Sequence, residues 1–266
     1  RVLQLARHEL GVEVAAVAEI DESRIDRLEQ KLDTTVTRYV GDEAYLRMLK
    51  ETDLDAVGVF TPHALHMDHS VAALESGCHL LVEKPMVCGT GPAVRLAHLA
   101  EERGKIAVLH YQRHYEPHYI EARSLIAKGA IGDVQTFYVY MSQDWSGPRW
   151  RGDPALSGGG QINDSGSHYQ DILLWMTDLL PVSAQGAVDS YHHGRSLDVE
   201  VNGMFHVELS NGAAGRLIIV GDTIGGFTDD VRIRGEEGDL IFYGQRLFLR
   251  RKGEDPREIT VRRPRG

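Results

Sequence analysis

The stretch from Val12 to Leu109 alternates short apolar runs with amphipathic segments, and few folds accommodate that alternation. Strands are predicted at four apolar runs: 12–18, 54–60, 79–82 and 105–109. Helices are predicted where apolar residues recur at helical spacing: 23–32, 67–76 and 92–103, with a further short helix capped by Asp42. Apolar strands joined by helices form a parallel sheet covered on both faces. The pattern therefore predicts an α/β domain of the doubly wound, Rossmann type.

From Val134 onward the pattern changes to β-branched and aromatic strands separated by Gly-containing turns. The predicted strands are 134–141, 201–209, 213–220, 231–234, 240–243 and 247–250. Asn211-Gly212 is a strong hairpin signal between two of them. Helices are predicted at 117–128, joining the halves, and at 165–176, against the sheet. We expect an α+β domain with a large, mostly antiparallel open sheet at 113–266, after a dinucleotide-binding domain at 1–112.

Composition excludes several classes of partner. The formal net charge of -10 argues against nucleic acid and against an anionic membrane surface, since both need a basic protein surface. No apolar run is long enough to span a bilayer. Cys78 and Cys88 form no disulfide framework and fit a reducing compartment, so we expect a cytoplasmic protein.

Lys84 follows the apolar run Leu80–Val82 and precedes Pro85, at which a strand ladder cannot continue. Ligands bind at the carboxyl edge of such parallel sheets. Burial lowers the pKa of a lysine, so Lys84 is suited to relay a proton. The alternative is a lysine whose ammonium group extends into water, as most lysines do. Pro85 is a candidate for the cis form.

Asp164 and His168 follow a run of three glycines, 158–160, and stand four residues apart, which puts both on one face of a helix. An amine, a carboxylate and an imidazole together can move a proton to or from an alcohol. Two questions stay open: whether Asp164 is instead a helix N-cap, and whether Lys84 or His168 makes the final proton transfer.

These motifs, in this order and on these elements, resemble the Gfo/Idh/MocA family of NAD(P)-dependent oxidoreductases over nearly the whole chain. The resemblance also rests on Thr61-Pro62 and His66 after a strand, and on Gly132 before the second sheet. It implies hydride transfer between NAD and a secondary alcohol of a cyclic polyol or sugar. It implies that Lys84, Asp164 and His168 are catalytic. The cofactor-binding residues that it implies are Thr61, Pro62, His66, Glu83 and Lys84.

Glu19 ends the second strand of the expected dinucleotide fold, where a carboxylate accepts hydrogen bonds from the ribose hydroxyls and repels a 2′-phosphate. We therefore expect NAD rather than NADP, with Asp21 as the alternative ribose ligand. The family's Gly-rich turn does not precede Val12, and residues 1–10 look like the tail of the helix after it. We expect that both ends of the chain are missing segments.

Four residues flank the expected cleft and are candidate contacts for the polyol or sugar: Arg113, Tyr115, Trp150 and Arg151. No metal site is expected, because neither His63/His66/His69 nor His110/His114/His118 is completed by a carboxylate or cysteine at zinc-like spacing. Ser165 and Ser167 lack the strand-turn setting of a serine hydrolase nucleophile.

Two rival functions remain from the sequence. One is an NAD-dependent glycosidase that oxidises a sugar transiently, and the other is a ligand sensor without catalysis. Apolar residues occupy both faces of the second sheet, which is unusual for a sheet with one face in water. We therefore expect a homodimer, or a tetramer of dimers, with contacts at 134–141 and 216–220.

Overall fold

The computed structural model describes residues 8–261, and the chain divides into two compact units. The first comprises Arg1–Thr61 and Leu65–Leu109, and the second comprises Pro62–Ala64 and His110–Gly266. Most of the helix tail predicted at residues 1–10 lies outside the described residues, and residues 8–10 are helical.

The first unit contains parallel strands joined by helices, as predicted. Its strands are β1 (Ala16–Glu19), β2 (Thr37–Val40), β3 (Ala56–Val59), β4 (His79–Val82) and β5 (Ala107–Leu109). Its helices are α1 (Glu22–Leu32), α2 (Ala44–Glu51), α3 (His66–Glu75) and α4 (Thr90–Glu102). β1 and β2 form one sheet and β3-β4-β5 another, because no strand within residues 8–261 pairs with both β1 and β3.

Local capping explains where the first helices begin. Asp21 accepts a hydrogen bond from the backbone N–H of Ser23 and so caps α1, which ends at Asp33 in the left-handed conformation (φ 49°). The predicted cap at Asp42 is wrong: α2 follows Glu43 without a side-chain cap. The N–H of Ala44 bonds the carbonyl of Gly41 instead, so a backbone turn replaces the side chain.

The second unit is built on an eight-stranded sheet. Its strands are β6 (Val134–Ser142), β7 (Pro181–Asp189), β10 (Asn202–Leu209), β11 (Ala214–Val220), β12 (Thr228–Gly235), β13 (Gly238–Tyr243), β14 (Arg246–Arg251) and β15 (Arg257–Ile259). Their order in the sheet is β15-β14-β13-β12-β6-β11-β10-β7. β6 and β11 pair in parallel, and the other pairs are antiparallel. A separate hairpin joins β8 (Tyr191–His192) to β9 (Arg195–Ser196).

Helices α5 (Pro117–Ala127) and α7 (Ser167–Thr177) pack in the core of this unit, and α6 (Pro154–Ser157) is a single turn. Val139 and Met141 of β6 point into that core, where they join Ile172 and Met176 of α7 in one buried cluster. The intervening Tyr140 is half-buried, since successive strand residues face opposite sides. One face of the sheet is therefore covered by helices.

The register shows that the other face is more polar than the sequence suggests. Tyr138 lies beside Arg216 of β11 and Arg232 of β12, and Tyr140 lies beside Ile218 and Asp230. Charged residues therefore alternate with aromatic and aliphatic ones across this face.

His118 lies in the core of the second unit, against the ring of Tyr119. Burial, followed by the nearby Arg113 charge, lowers the pKa of His118 from its ordinary value of 6.5 to about 4. Between pH 6.5 and about 4, His118 is therefore protonated in the unfolded chain but stays neutral in the folded chain. The stability that depends on neutral His118 is complete above pH 6.5 and is lost as the pH falls towards 4.

We expect His118→Gln to flatten the fall of unfolding free energy across this acid range by about 1 to 3 kcal/mol. Urea unfolding followed by tryptophan fluorescence is a suitable measurement, because Trp145, Trp150 and Trp175 all lie in the second unit. His206→Gln, at an exposed histidine of the same unit, is the control and should keep the wild-type slope. Equal slopes for both variants would contradict the assignment.

Candidate functional site

In the first unit, the predicted cofactor residues follow the carboxyl ends of neighbouring parallel strands. β3 and β4 pair with Val59 opposite Val82, so the segments after both strands leave the same sheet edge. Glu83 and half-buried Lys84 follow β4, and the Lys84 backbone N–H lies 3.2 Å from the Glu83 carboxylate. The Lys84–Pro85 peptide is cis, as predicted.

His66 connects the segments that follow these two strands. It is fully buried at the start of α3, and its ring Nδ1 lies 2.8 Å from the carbonyl of Pro85. Its Nε2 lies 2.9 Å from the carbonyl of Thr61. The imidazole therefore fixes the turn that carries Lys84 against the turn that carries Thr61. The structure gives His66 this positioning contact, and its contact with a cofactor stays a prediction.

Glu19 stands at the carboxyl end of β1, where a carboxylate fits the two hydroxyls of an adenosine ribose. Its Oε1 accepts a hydrogen bond from the N–H of Ile20 at 2.9 Å and lies 3.3 Å from Nη1 of Arg24. Asp21 is committed to capping α1 through the N–H and hydroxyl of Ser23. This arrangement favours Glu19 over Asp21 as the ribose ligand.

In the second unit, Asp164 lies buried in a π-helical turn, Ile162–Gly166, immediately before α7. Its Oδ2 accepts hydrogen bonds from Nε of Arg151 at 3.0 Å and from the indole N–H of Trp145 at 3.3 Å. These donors fix the orientation of the carboxylate. The N-cap alternative for Asp164 is wrong, because Gly166 precedes α7 and no side chain caps it.

Two of the predicted substrate residues lie near this carboxylate: Arg151 contacts it directly, and Trp150 contacts Arg151. The Arg151 guanidinium lies over the ring of Trp150, 4.4 Å from its centroid, and Trp150 packs edge-on against His63. His63 belongs to the second unit, and its Nε2 lies 3.9 Å from Oδ1 of Asp164. A carboxylate beside a guanidinium and an aromatic face suits the hydroxyls and C–H face of a sugar.

The other two predicted substrate residues are placed differently. Arg113 donates hydrogen bonds to the hydroxyls of Tyr119 at 3.3 Å and Tyr169 at 3.0 Å, and Tyr169 donates to Asp229 at 2.7 Å. Arg113 therefore has protein partners, and its sugar contact stays a prediction. Tyr115 is exposed, without a described contact to Asp164 or His168.

His168 stands in the first turn of α7, half-buried, with the ring of Tyr111 edge-on at 5.9 Å. Tyr111 in turn stacks on His114, whose Nε2 lies 2.7 Å from Oδ2 of Asp171. Burial, with a smaller contribution from Asp171, raises the pKa of Tyr111 to about 12, so the phenol stays protonated at neutral pH. This aromatic chain holds the His168 ring from one side.

Sequence reasoning missed Trp145 and Tyr111, and considered His63 only as a metal ligand. None of the three belongs to a motif with a characteristic spacing. Trp145 comes shortly after a predicted strand, and that position is its only sequence signal.

Within residues 8–261, no helix has the length and apolar composition of a bilayer span.

Two family models together match most of the chain. Residues 1–111 match the oxidoreductase family with an NAD-binding Rossmann fold, and residues 119–241 match the GFO/IDH/MocA C-terminal domain.

Curated relatives include an NADP⁺-dependent scyllo-inositol 2-dehydrogenase of Bacillus subtilis (strain 168), 23% identical over 85% of this chain and 63% of the relative. A dTDP-3,4-didehydro-2,6-dideoxy-alpha-D-glucose 3-reductase of Actinomadura kijaniata is 29% identical over 90% of this chain and 69% of its own. This chain covers only 63%, 44% and 64% of the lengths of three of the first relatives.

Among solved structures, an inositol dehydrogenase homologue from Azotobacter vinelandii complexed with NAD⁺ superposes with a TM-score of 0.82. The alignment covers 93% of this chain and 68% of that one at 22% identity, so it supports the fold. The chain belongs to the Gfo/Idh/MocA family of oxidoreductases.

Proposed function

We propose that this protein transfers a hydride between NAD and a secondary alcohol of a cyclic polyol or sugar. One observation carries the proposal: Asp164, oriented by Arg151 and Trp145, stands one turn before His168 in a chain of this family that also has Lys84 after β4. The names of the relatives, a scyllo-inositol dehydrogenase and a sugar-nucleotide reductase, support this substrate class.

In the direction of oxidation, the carbinol hydrogen leaves as hydride, the hydroxyl proton goes to the protein, and a ketone forms. Bound NAD⁺ supplies the hydride acceptor. Lys84 and His168 are the candidates for relaying that proton, since both side chains are half-buried and carry a nitrogen. Asp164 orients the substrate hydroxyls, with Arg151 and Trp150 beside it.

The test is turnover on a panel of cyclitols, free sugars and aryl glycosides with NAD⁺ present. We expect stoichiometric NADH and ketone from at least one cyclitol or free sugar. Aglycone release without net NADH would instead identify the NAD-dependent glycosidase. Ligand binding without turnover on any member would identify the sensor.

Cofactor selectivity should depend on Glu19. Since a like-charge contact with a 2′-phosphate costs about 1 to 4 kcal/mol, we expect Glu19→Ser to improve kcat/KM for NADP by about fivefold to several hundredfold. Removal of the carboxylate also releases the Arg24 guanidinium to meet the phosphate. Glu22→Ser, at an exposed acid in the first turn of α1, is the control and should leave the ratio unchanged. An unchanged ratio in Glu19→Ser would mean that the 2′-position is recognised elsewhere.

We also propose that the protein is a cytoplasmic homodimer, or a tetramer of dimers, joined through the helix-free face of the large sheet. Tyr140 and Ile218 on this face are half-buried, and Met204, opposite Ile218, is 56% exposed. Burying them against a second copy is favourable. Sedimentation velocity at micromolar concentration should show a dimer or larger, and Ile218→Asp should shift it towards monomer. A wild-type monomer would contradict the proposal.

A further inference from the structure

Three potential metal-ligand atoms converge beside the β8–β9 hairpin of the second unit. Oδ1 of Asp144 lies 2.8 Å from Nε2 of His192 and 3.3 Å from Nε2 of His193. The three atoms all lie within 4.8 Å of one another. We call Asp144, His192, His193 and the adjoining Asp222 the hairpin cluster.

The second nitrogen of His193 determines what its Nε2 can do. Nδ1 of His193 lies 3.1 Å from Oδ1 of Asp222, which also accepts the His193 backbone N–H at 2.8 Å. A neutral imidazole carries one N–H, and Asp222 draws that hydrogen to Nδ1. In that tautomer Nε2 offers a lone pair towards the Asp144 carboxylate, and a cation between the two atoms would bind both.

The contact between Asp222 and Nδ1 of His193 is also typical of histidines that bind a metal through their other ring nitrogen. A carboxylate that accepts the distal N–H fixes the tautomer of the ring and raises the basicity of the ligating nitrogen. Asp222 stands in that position relative to His193. His192 is 5% exposed in its side chain, so its ring is held by packing and needs little ordering on binding.

Access and charge also suit a cation. The side chains of Asp144 and His193 are 56% and 41% exposed, so an ion can enter from solvent. The carboxylates of Asp144 and Asp222 place negative charge beside the two rings, which favours a cation. Two nitrogen ligands and one oxygen ligand, with room for water on the exposed side, are typical of Zn²⁺ and related first-row divalent ions.

We propose that Asp144, His192 and His193 bind one Zn²⁺-type divalent cation, with Asp222 orienting His193. These ligands lie outside the residues proposed to handle the proton. Asp144 immediately precedes Trp145, whose indole N–H donates to Asp164. A bound ion would therefore tie the β8–β9 hairpin to the segment that positions the Asp164 carboxylate.

The test uses full-length protein without a histidine tag, stripped with a chelator and titrated with Zn²⁺ by calorimetry near neutral pH. Co²⁺ absorption spectra report the coordination. We expect one Zn²⁺ per chain in the wild type, and loss of this binding by more than about 100-fold in Asp144→Asn and His193→Ala. Asp222→Ala should weaken it by about 10- to 100-fold, as the loss of a supporting carboxylate does.

His98→Ala, at an exposed histidine in the first unit, should bind Zn²⁺ like the wild type. Circular dichroism establishes that each variant is folded, and His193 is exposed enough for its replacement to be tolerated. Failure of the wild type to take up Zn²⁺ would overturn the proposal. Equal uptake by folded His193→Ala would overturn it as well.

Discussion

Lys84→Ala is expected to lower kcat by about 10²- to 10⁴-fold, because the variant lacks a group that we propose handles the proton of the reacting hydroxyl. NAD⁺ binding should stay within a few-fold of the wild type. The backbone of this segment is fixed by the contact between His66 and the Pro85 carbonyl, which the substitution leaves in place. Steady-state kinetics with the best substrate of the panel measures kcat, and competition of NAD⁺ against the fluorescence of bound NADH measures NAD⁺ binding.

Lys50→Ala, at an exposed lysine on α2, is the control and should keep the wild-type kcat. A Lys84→Ala variant that retains most of its kcat would remove Lys84 from the mechanism. Loss of NADH binding in parallel with kcat would instead assign Lys84 to cofactor binding alone.

His168→Ala is expected to cost a comparable factor, about 10² to 10⁴ in kcat, if its imidazole transfers the proton. Its ring is placed by Tyr111, so Tyr111→Phe should keep most of the activity, because the edge-on packing survives without the hydroxyl. His206→Ala serves as the exposed-histidine control. A His168→Ala variant with wild-type kcat and an unchanged pH profile would contradict the assignment.

The double variant Lys84→Ala/His168→Ala decides how the two groups share the proton. Groups that act in one relay are not additive, so the double variant should be about as slow as the slower single variant. Multiplication of the two losses would show that they act independently.

The two sheet-forming regions could be read from the sequence because local periodicity determines them. The apolar run before Lys84 and the Asn211-Gly212 turn each specify structure within a few residues, and both were predicted at the right place. β7 was missed because all of its residues are exposed at the sheet edge, so it lacks the alternation that marks a half-buried strand.

The surroundings of the candidate site could not be predicted in the same way. Asp164 meets Trp145 and Arg151 only because the π-helical turn brings it to the segment after β6. Arg113 contacts the hydroxyls of Tyr119 on α5 and Tyr169 on α7, which the sequence did not indicate, and its substrate contact stays a prediction. Such contacts depend on tertiary packing, which leaves no local pattern.

The hairpin cluster shows the same limit. Spacing rules examine histidines close together in sequence, such as His63, His66 and His69, which no carboxylate or cysteine completes at zinc-like spacing. Asp144 and His192 are far apart in sequence, and their ring-to-carboxylate contact exists only once β6 and the hairpin are in place.

The most direct test of the proposed reaction is the fate of the carbinol hydrogen. The active cyclitol or sugar, deuterated at the reacting carbon, is incubated with NAD⁺, and the cofactor is isolated for mass spectrometry and NMR. Direct hydride transfer predicts one deuterium on the reduced nicotinamide for each ketone formed, with loss of transfer in Lys84→Ala. Deuterium that returns to the sugar carbon during aglycone release, or that appears only in solvent, would contradict the proposed dehydrogenase.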